Sequence, residues 1–247
     1  MNKLTLQAQI ENSQLPSAFK KHLIACIKKG KAHRAHAALE TDFGRVIDNM
    51  LAITTAAGRS VGLDADTLVR NTGFSENDLD ADNFDGTIAL LRGINHLANS
   101  GWSPITLLKP QKGTRTADLV VARGKSKLAL DVACSSAGAQ RDVDTLSKYM
   151  VGIANGKAEQ LTNTIKTHSC TGSGLLFVLN SEAAVIWGHW DSYLESAKQA
   201  HGALNAADNY FISILTGRIA QVWKDGKYYE APDDVVFPAW PNEAAAR

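Results

Sequence analysis

A pair of apolar strands that each carry one aspartate constrains this chain more than any other feature. Residues 117–134 alternate as strands do and are interrupted once, around Gly124 and Lys125. A two-residue loop with glycine in first place is typical of a type II′ hairpin turn. With these two residues as the loop, the register places Asp118 opposite Asp131 on the neighbouring strand.

The two facing carboxylates predict a cation site. Their Cβ atoms would lie about 4.5–5.5 Å apart, and like charges in that position are destabilising. A divalent cation would remove the conflict, since Mg²⁺ is commonly held by one or two carboxylates. Two alternatives stay open: a longer turn, which would change the register, or a solvated face. A slip of one residue would send the two side chains to opposite faces.

A predicted helix over residues 145–167 carries polar side chains toward its apolar face. At about 100° per residue, Lys157 falls near the middle of the apolar stripe and Gln160 at its edge. The stripe consists of Leu146, Met150, Ile153, Leu161 and Ile165. Either Lys157 and Gln160 face the acidic hairpin, or Lys157 extends past the core to water.

The order of the elements and these residues together resemble the PD-(D/E)xK nuclease superfamily. The core of that family runs helix, three strands, helix, strand. The corresponding predicted elements are helix 88–98, strands 104–109, 117–122 and 128–134, helix 145–167 and strand 175–179. The resemblance implies an α/β fold with a restriction-endonuclease-like core, a mixed sheet flanked by helices, and it covers roughly residues 85–180.

The rest of the chain is expected to extend this core at both ends. Residues 1–84 are predicted to form an N-terminal helical region, with helices over 17–29 and 35–57, and residues 85–247 to contain the core. A strand over 185–190, a helix over 191–203 and a C-terminal β-meander follow. The meander strands are expected at 210–215, 219–223 and 227–230, with a turn at 225–226 and an irregular tail from Pro232.

The resemblance assigns roles to four residues. Asp118 and Asp131 match the two motif acids and are expected to hold Mg²⁺ or Mn²⁺. Lys157 and Gln160 match the polar residues that the following helix of the family often directs at the site. The catalytic set implied by the resemblance is therefore Asp118, Asp131, Lys157 and Gln160.

The sequence departs from the family motif at two positions. Ala133 stands where the family usually has a lysine, two residues after the second acid, and Lys157 is the candidate to supply that charge instead. Ala117 replaces the motif proline. Glu40 on an early helix is a candidate third metal ligand, as an acid on the first helix is in many relatives.

The expected function is that of a metal-dependent nuclease that hydrolyses phosphodiester bonds, above all in DNA. The alternative is a catalytically inactive relative that acts as a nucleic-acid-binding, regulatory or immunity-type protein, which Ala133 favours. The expected partners are nucleic acid and a second copy of the chain in a homodimer, and no membrane. A cytoplasmic location is expected because no apolar run suits a signal peptide or a membrane span and the three cysteines are scattered.

Overall fold

The computed structural model describes most of the chain and divides it into two compact units. The units are Met1–Asn95 and His96–Arg247. The described residues are 3–30, 39, 42–109, 115–135, 143–179, 190–203, 210–216, 221–224, 227–230 and 234–237. No helix within these ranges combines the length and the apolar character that crossing a membrane requires.

The first unit is helical over its described residues. Its helices are α1 (Lys3–Asn12), α2 (Ser17–Lys29), α3 (Phe43–Val61), α4 (Ala65–Asn71) and the greater part of α5 (Ala81–Asn99). Aspartate side chains accept hydrogen bonds from backbone N–H groups at the start of α3 and of α4, as N-caps do. Helix α2 has the predicted bounds. Of the helix predicted over 35–57, residues 43–57 lie in α3, which continues to Val61, while residues 35–38, 40 and 41 lie outside the described residues.

The second unit is an α/β structure. Its strands are β1 (Ile105–Leu107), β2 (Leu119–Arg123), β3 (Ser126–Ser135), β4 (Gly172–Leu179), β5 (Tyr210–Thr216), β6 (Gln221–Lys224), β7 (Lys227–Glu230) and β8 (Asp234–Phe237). Its helices besides the end of α5 are α6 (Val143–His168) and α7 (Trp190–Ala203). The predicted helix, three strands, helix and strand of the core all occur, in that order.

Six of these strands form one mixed sheet in the order β1-β2-β3-β4-β5-β8. The pairs β1/β2, β2/β3 and β5/β8 are antiparallel, and β3, β4 and β5 run parallel. Arg123 pairs with Ser126, so the predicted two-residue turn and its register are confirmed. Gly124 has a φ of 58°, which the first loop residue of a type II′ turn requires.

The C-terminal part differs from the predicted meander. Strand β5 lies beside β4 and parallel to it, while β6 and β7 form a separate two-stranded sheet. The tail from Pro232 was predicted to be irregular, and this is wrong for Asp234–Phe237, which pairs with β5. The reason is its two valines and a phenylalanine, which favour a strand once an edge is available.

The predicted strand over 185–190, apart from Trp190 in α7, and the turn at 225–226 lie outside the described residues.

The buried face of α6 packs against the sheet. Its core-facing residues Leu146, Met150, Ala154 and Leu161 form one apolar cluster with side chains of β3 and β4, namely Ala129, Ala133, Leu175 and Phe177. Ile153 and Ile165, which were predicted to lie in this stripe, are only partly buried. Lys157 falls between Ala154 and Leu161 on the same face, so the helix carries it toward β3.

Candidate functional site

The two aspartates come together where the pairing of β2 with β3 ends, Asp131 within β3 and Asp118 directly before β2. Leu119 pairs with Leu130 as the last pair of this ladder, and Asp118 and Asp131 are the residues that come next to this pair on each chain segment. Asp131 lies within β3 and pairs with Leu175 of β4. Asp118 immediately precedes β2, and its Oδ2 accepts a hydrogen bond from the Val132 N–H at 2.9 Å. Asp131 lies within β3 as predicted, whereas Asp118 was predicted inside its strand and lies just before β2.

Lys157 reaches this pair from α6. Its Nζ lies 2.8 Å from Asp131 Oδ1, and its side chain is 31% exposed whereas that of Asp131 is completely buried. The prediction that Lys157 points toward the acids is therefore confirmed. Because only the lysine retains contact with solvent, it covers the Asp131 carboxylate.

The Asp131 carboxylate keeps unused acceptor capacity. Both of its oxygens are buried, and Oδ2 has no hydrogen-bond donor in the described part of the chain. The Lys157 ammonium contacts Oδ1 at 2.8 Å as an ion pair. Buried polar groups are nearly always hydrogen-bonded, so Oδ2 is a site where a cation or a donor from a ligand would be stabilised.

Burial and charge shift the protonation of the other two groups. The pKa of Asp118 is raised to about 7, first by burial and then by the nearby charge of Asp131. The hydrogen bond from Val132 and the charge of Lys157 act in the opposite direction. Burial would lower the pKa of Lys157, but the Asp131 carboxylate and, less strongly, Asp118 outweigh it, so the pKa rises. At neutral pH the cluster therefore holds a charged lysine, with Asp118 close to its titration point.

Gln160 was predicted to orient substrate or water, and the structure gives its side-chain nitrogen a protein partner. Gln160 Nε2 donates to the Thr116 carbonyl at 3.0 Å. Thr164, one turn later and fully buried, accepts a hydrogen bond from the Ala117 N–H at 2.8 Å. Sequence reasoning missed Thr164, although its spacing of four from Gln160 puts both residues on one face of the helix.

The remaining predicted residues contribute differently. Ala133 lies on the same face of β3 as Asp131, and its side chain is part of the core beneath α6. Glu40, the candidate third metal ligand, lies outside the described residues.

Arg115, just before the Asp118 segment, pairs with Glu159 at 3.0 Å with both side chains more than 60% exposed, and such pairs contribute about 0–1 kcal/mol.

A metal at this site would rely on two carboxylates. Within the described ranges there is no group of three or more histidine, cysteine, aspartate or glutamate residues that could hold a metal ion. Mg²⁺ usually keeps several water ligands and needs only one or two protein carboxylates, so Asp118 and Asp131 fit it as a pair. Comparison of the chain with models of protein families, with curated proteins and with solved structures finds no match.

Proposed function

We propose that this protein is a metal-dependent nuclease that hydrolyses phosphodiester bonds, above all in DNA. One observation carries the proposal: a buried aspartate of β3, a second aspartate directly before β2 and a partly exposed lysine of α6 come together. The lysine Nζ lies 2.8 Å from Asp131. Two acids can hold a divalent metal, and an ammonium can stabilise the negative charge that the phosphate carries during hydrolysis.

Asp118 and Asp131 would hold Mg²⁺ or Mn²⁺. When bound, the metal would activate a water molecule and neutralise charge on the phosphate. The unsatisfied Asp131 Oδ2 and the raised pKa of Asp118 both fit this assignment. A cation between the acids would take over the neutralisation that a proton on Asp118 otherwise supplies.

Lys157 would stabilise negative charge on the phosphate during hydrolysis. Its side chain is 31% exposed, and Asp131 holds its ammonium by an ion pair. In this role it would replace the lysine that the family motif places at Ala133. Asp131 and Ala133 lie on the face of β3 that α6 packs against, so a lysine on α6 can take the place of one at position 133.

The fold supports the proposal through its order of elements. The last helix of the first unit leads into three antiparallel strands, followed by a helix and a strand parallel to the third. This is the order that the resemblance to PD-(D/E)xK nucleases implies for a restriction-endonuclease-like core. Fold alone does not decide activity, so the proposal depends on the site.

The ion pair itself favours a second candidate. Lys157 already neutralises Asp131 without a metal, and the described residues add no third acid to the pair. A relative of the nucleases that has lost catalysis would be stabilised by such an internal pair. It would act by binding nucleic acid or by a regulatory or immunity-type interaction.

Incubation with nucleic acid separates the two candidates. Supercoiled plasmid, single-stranded DNA and RNA would each be incubated with the purified chain in Mg²⁺, Mn²⁺ or EDTA. A nuclease cleaves at least one substrate with metal and none in EDTA, and Asp118→Asn and Asp131→Asn abolish cleavage. Asp48→Asn, an exposed aspartate of α3, is the matched control and retains it. Absence of cleavage under every condition overturns the nuclease proposal in favour of the non-catalytic one.

A further inference from the structure

One peptide group, the one that joins Thr116 to Ala117, is held at both ends by helix α6. Its carbonyl oxygen accepts a hydrogen bond from Gln160 Nε2 at 3.0 Å, and its N–H donates to Thr164 Oγ1 at 2.8 Å. The Thr164 hydroxyl in turn donates to the Gln160 carbonyl at 2.8 Å. The plane of this peptide group is therefore fixed relative to α6, directly before Asp118.

This segment depends on such contacts because it lies outside the pairing of β2 with β3, which begins at Leu119. Asp118 has two further hydrogen bonds. Its carbonyl accepts from the Leu108 N–H and its Oδ2 from the Val132 N–H, both at 2.9 Å. The β1 side, β3 and, through the preceding peptide group, α6 thus hold Asp118 from three directions.

A threonine at position 164 carries a cost in the free energy of folding. It has no solvent exposure, and a buried hydroxyl costs free energy unless it is hydrogen-bonded. Threonine is also a weaker helix former than alanine or leucine. Its hydroxyl both accepts and donates a hydrogen bond here, and it satisfies the N–H of the buried Ala117.

We infer that Thr164, together with Gln160, is a positioning residue that places the Asp118 carboxylate against Val132 and beside Asp131. The inference rests on the proposed function only for what Asp118 does once it is in place. The amide of Val132 reports that placement directly, because its N–H donates to the carboxylate in question.

Amide hydrogen exchange in metal-free buffer tests the inference on the full chain. Thr164→Val keeps the side-chain shape and removes the hydroxyl. The exchange rates of the Ala117 and Val132 amides should both rise by about threefold to tenfold, the effect of losing one hydrogen bond. Thr164→Ser, which restores a hydroxyl, should return both rates toward those of the parent.

Thr54→Val is the matched control. Thr54 is also fully buried in a helix and also donates to the carbonyl four residues earlier, that of Met50, at 2.7 Å. Its loss should leave the Val132 rate unchanged. Gln160→Met removes the other hydrogen bond that α6 makes to this peptide group. It replaces Thr164→Val if that variant does not fold, and the exchange rate of the Val132 amide should rise in the same way.

The inference is overturned if the Ala117 amide exchanges faster in Thr164→Val while the Val132 amide does not. Activity gives a separate readout: if the parent cleaves, Thr164→Val should lower kcat by about tenfold to a hundredfold with little change in KM, and Thr164→Ser should recover it. A parent that never cleaves removes the proposed function and leaves the exchange result intact, so the two failures are distinguishable.

Discussion

Nζ of Lys157 lies 2.8 Å from Oδ1 of Asp131, a carboxylate with no solvent exposure. Within the described part of the site, this ion pair joins a charge on α6 to a charge on the sheet. It has consequences for stability as well as for the proposed chemistry.

Removing the lysine should destabilise the protein. Lys157→Met leaves the buried Asp131 carboxylate without a counter-ion, and because Lys157 is partly exposed we expect a loss of about 1–3 kcal/mol in the free energy of unfolding. The double variant Lys157→Met/Asp131→Asn should recover part of that loss, since the unpaired charge is gone. Urea unfolding of the parent, both single variants and the double variant measures the coupling.

The exposed pair of Arg115 and Glu159 provides the control for this cycle. Its ions are at the same kind of distance, 3.0 Å, but both are solvated, so the coupling should be about 0–1 kcal/mol. Equal coupling energies for the two pairs would show that the burial of Asp131 adds nothing.

Divalent metal should stabilise the folded chain. Neutralising the two acids favours the folded state by mass action, by about 2.7 kcal/mol at a metal concentration of 100 times Kd. The melting temperature should rise with Mg²⁺ or Mn²⁺ and stay constant for Asp131→Asn, while Asp48→Asn should behave as the parent does. A parent melting temperature that millimolar metal leaves unchanged would contradict the metal site.

The raised pKa of Asp118 predicts a pH-dependent stability. Its folded pKa is about 7, above the ordinary 3.8, so between these values the folded chain keeps a proton that the unfolded chain has lost. The contribution of Asp118 to the free energy of unfolding therefore falls as pH rises from about 4 toward about 7. Asp118→Asn should remove this slope, which urea unfolding of both proteins at pH 5, 6, 7 and 8 would reveal. Parallel profiles for the two proteins would contradict the shift.

Glycine is required at one position of α3. A Cβ added at Gly58 would lie 2.5 Å from the Leu63 carbonyl oxygen, whereas one added at Gly44 of the same helix meets nothing within 4 Å. Gly58→Ala should lower the free energy of unfolding by about 1–3 kcal/mol, as overpacking does. Gly44→Ala should leave it unchanged or raise it by up to about 1 kcal/mol. Thermal unfolding of both variants checks the difference, and equal melting temperatures would refute the close approach.

The local parts of the site could be predicted from the sequence. Gly124 selects the turn, the turn fixes the register, and the register ends at the pair of Leu119 with Leu130, which brings the adjacent Asp118 and Asp131 close together. The helical period then directs Lys157 at β3. Each of these steps depends on residues that are close along the chain, for which spacing determines geometry.

The non-local parts could not be predicted in the same way. Strand β8 pairs with β5 because an edge is available there, and nothing in the sequence near Asp234 indicates which strand offers it. The contact of Thr164 with the Ala117 N–H joins residues that lie 47 positions apart. Gln160 was correctly placed at the edge of the buried stripe, but its backbone partner depends on where the strand begins.

The sheet is bounded at both sides by short strands. Strand β1 has three residues and β8 has four, and they are the two ends of the six-stranded sheet. A short edge offers few free backbone groups for a strand of another molecule to pair with. Over the described residues, edges this short disfavour association of the sheets edge to edge into fibres.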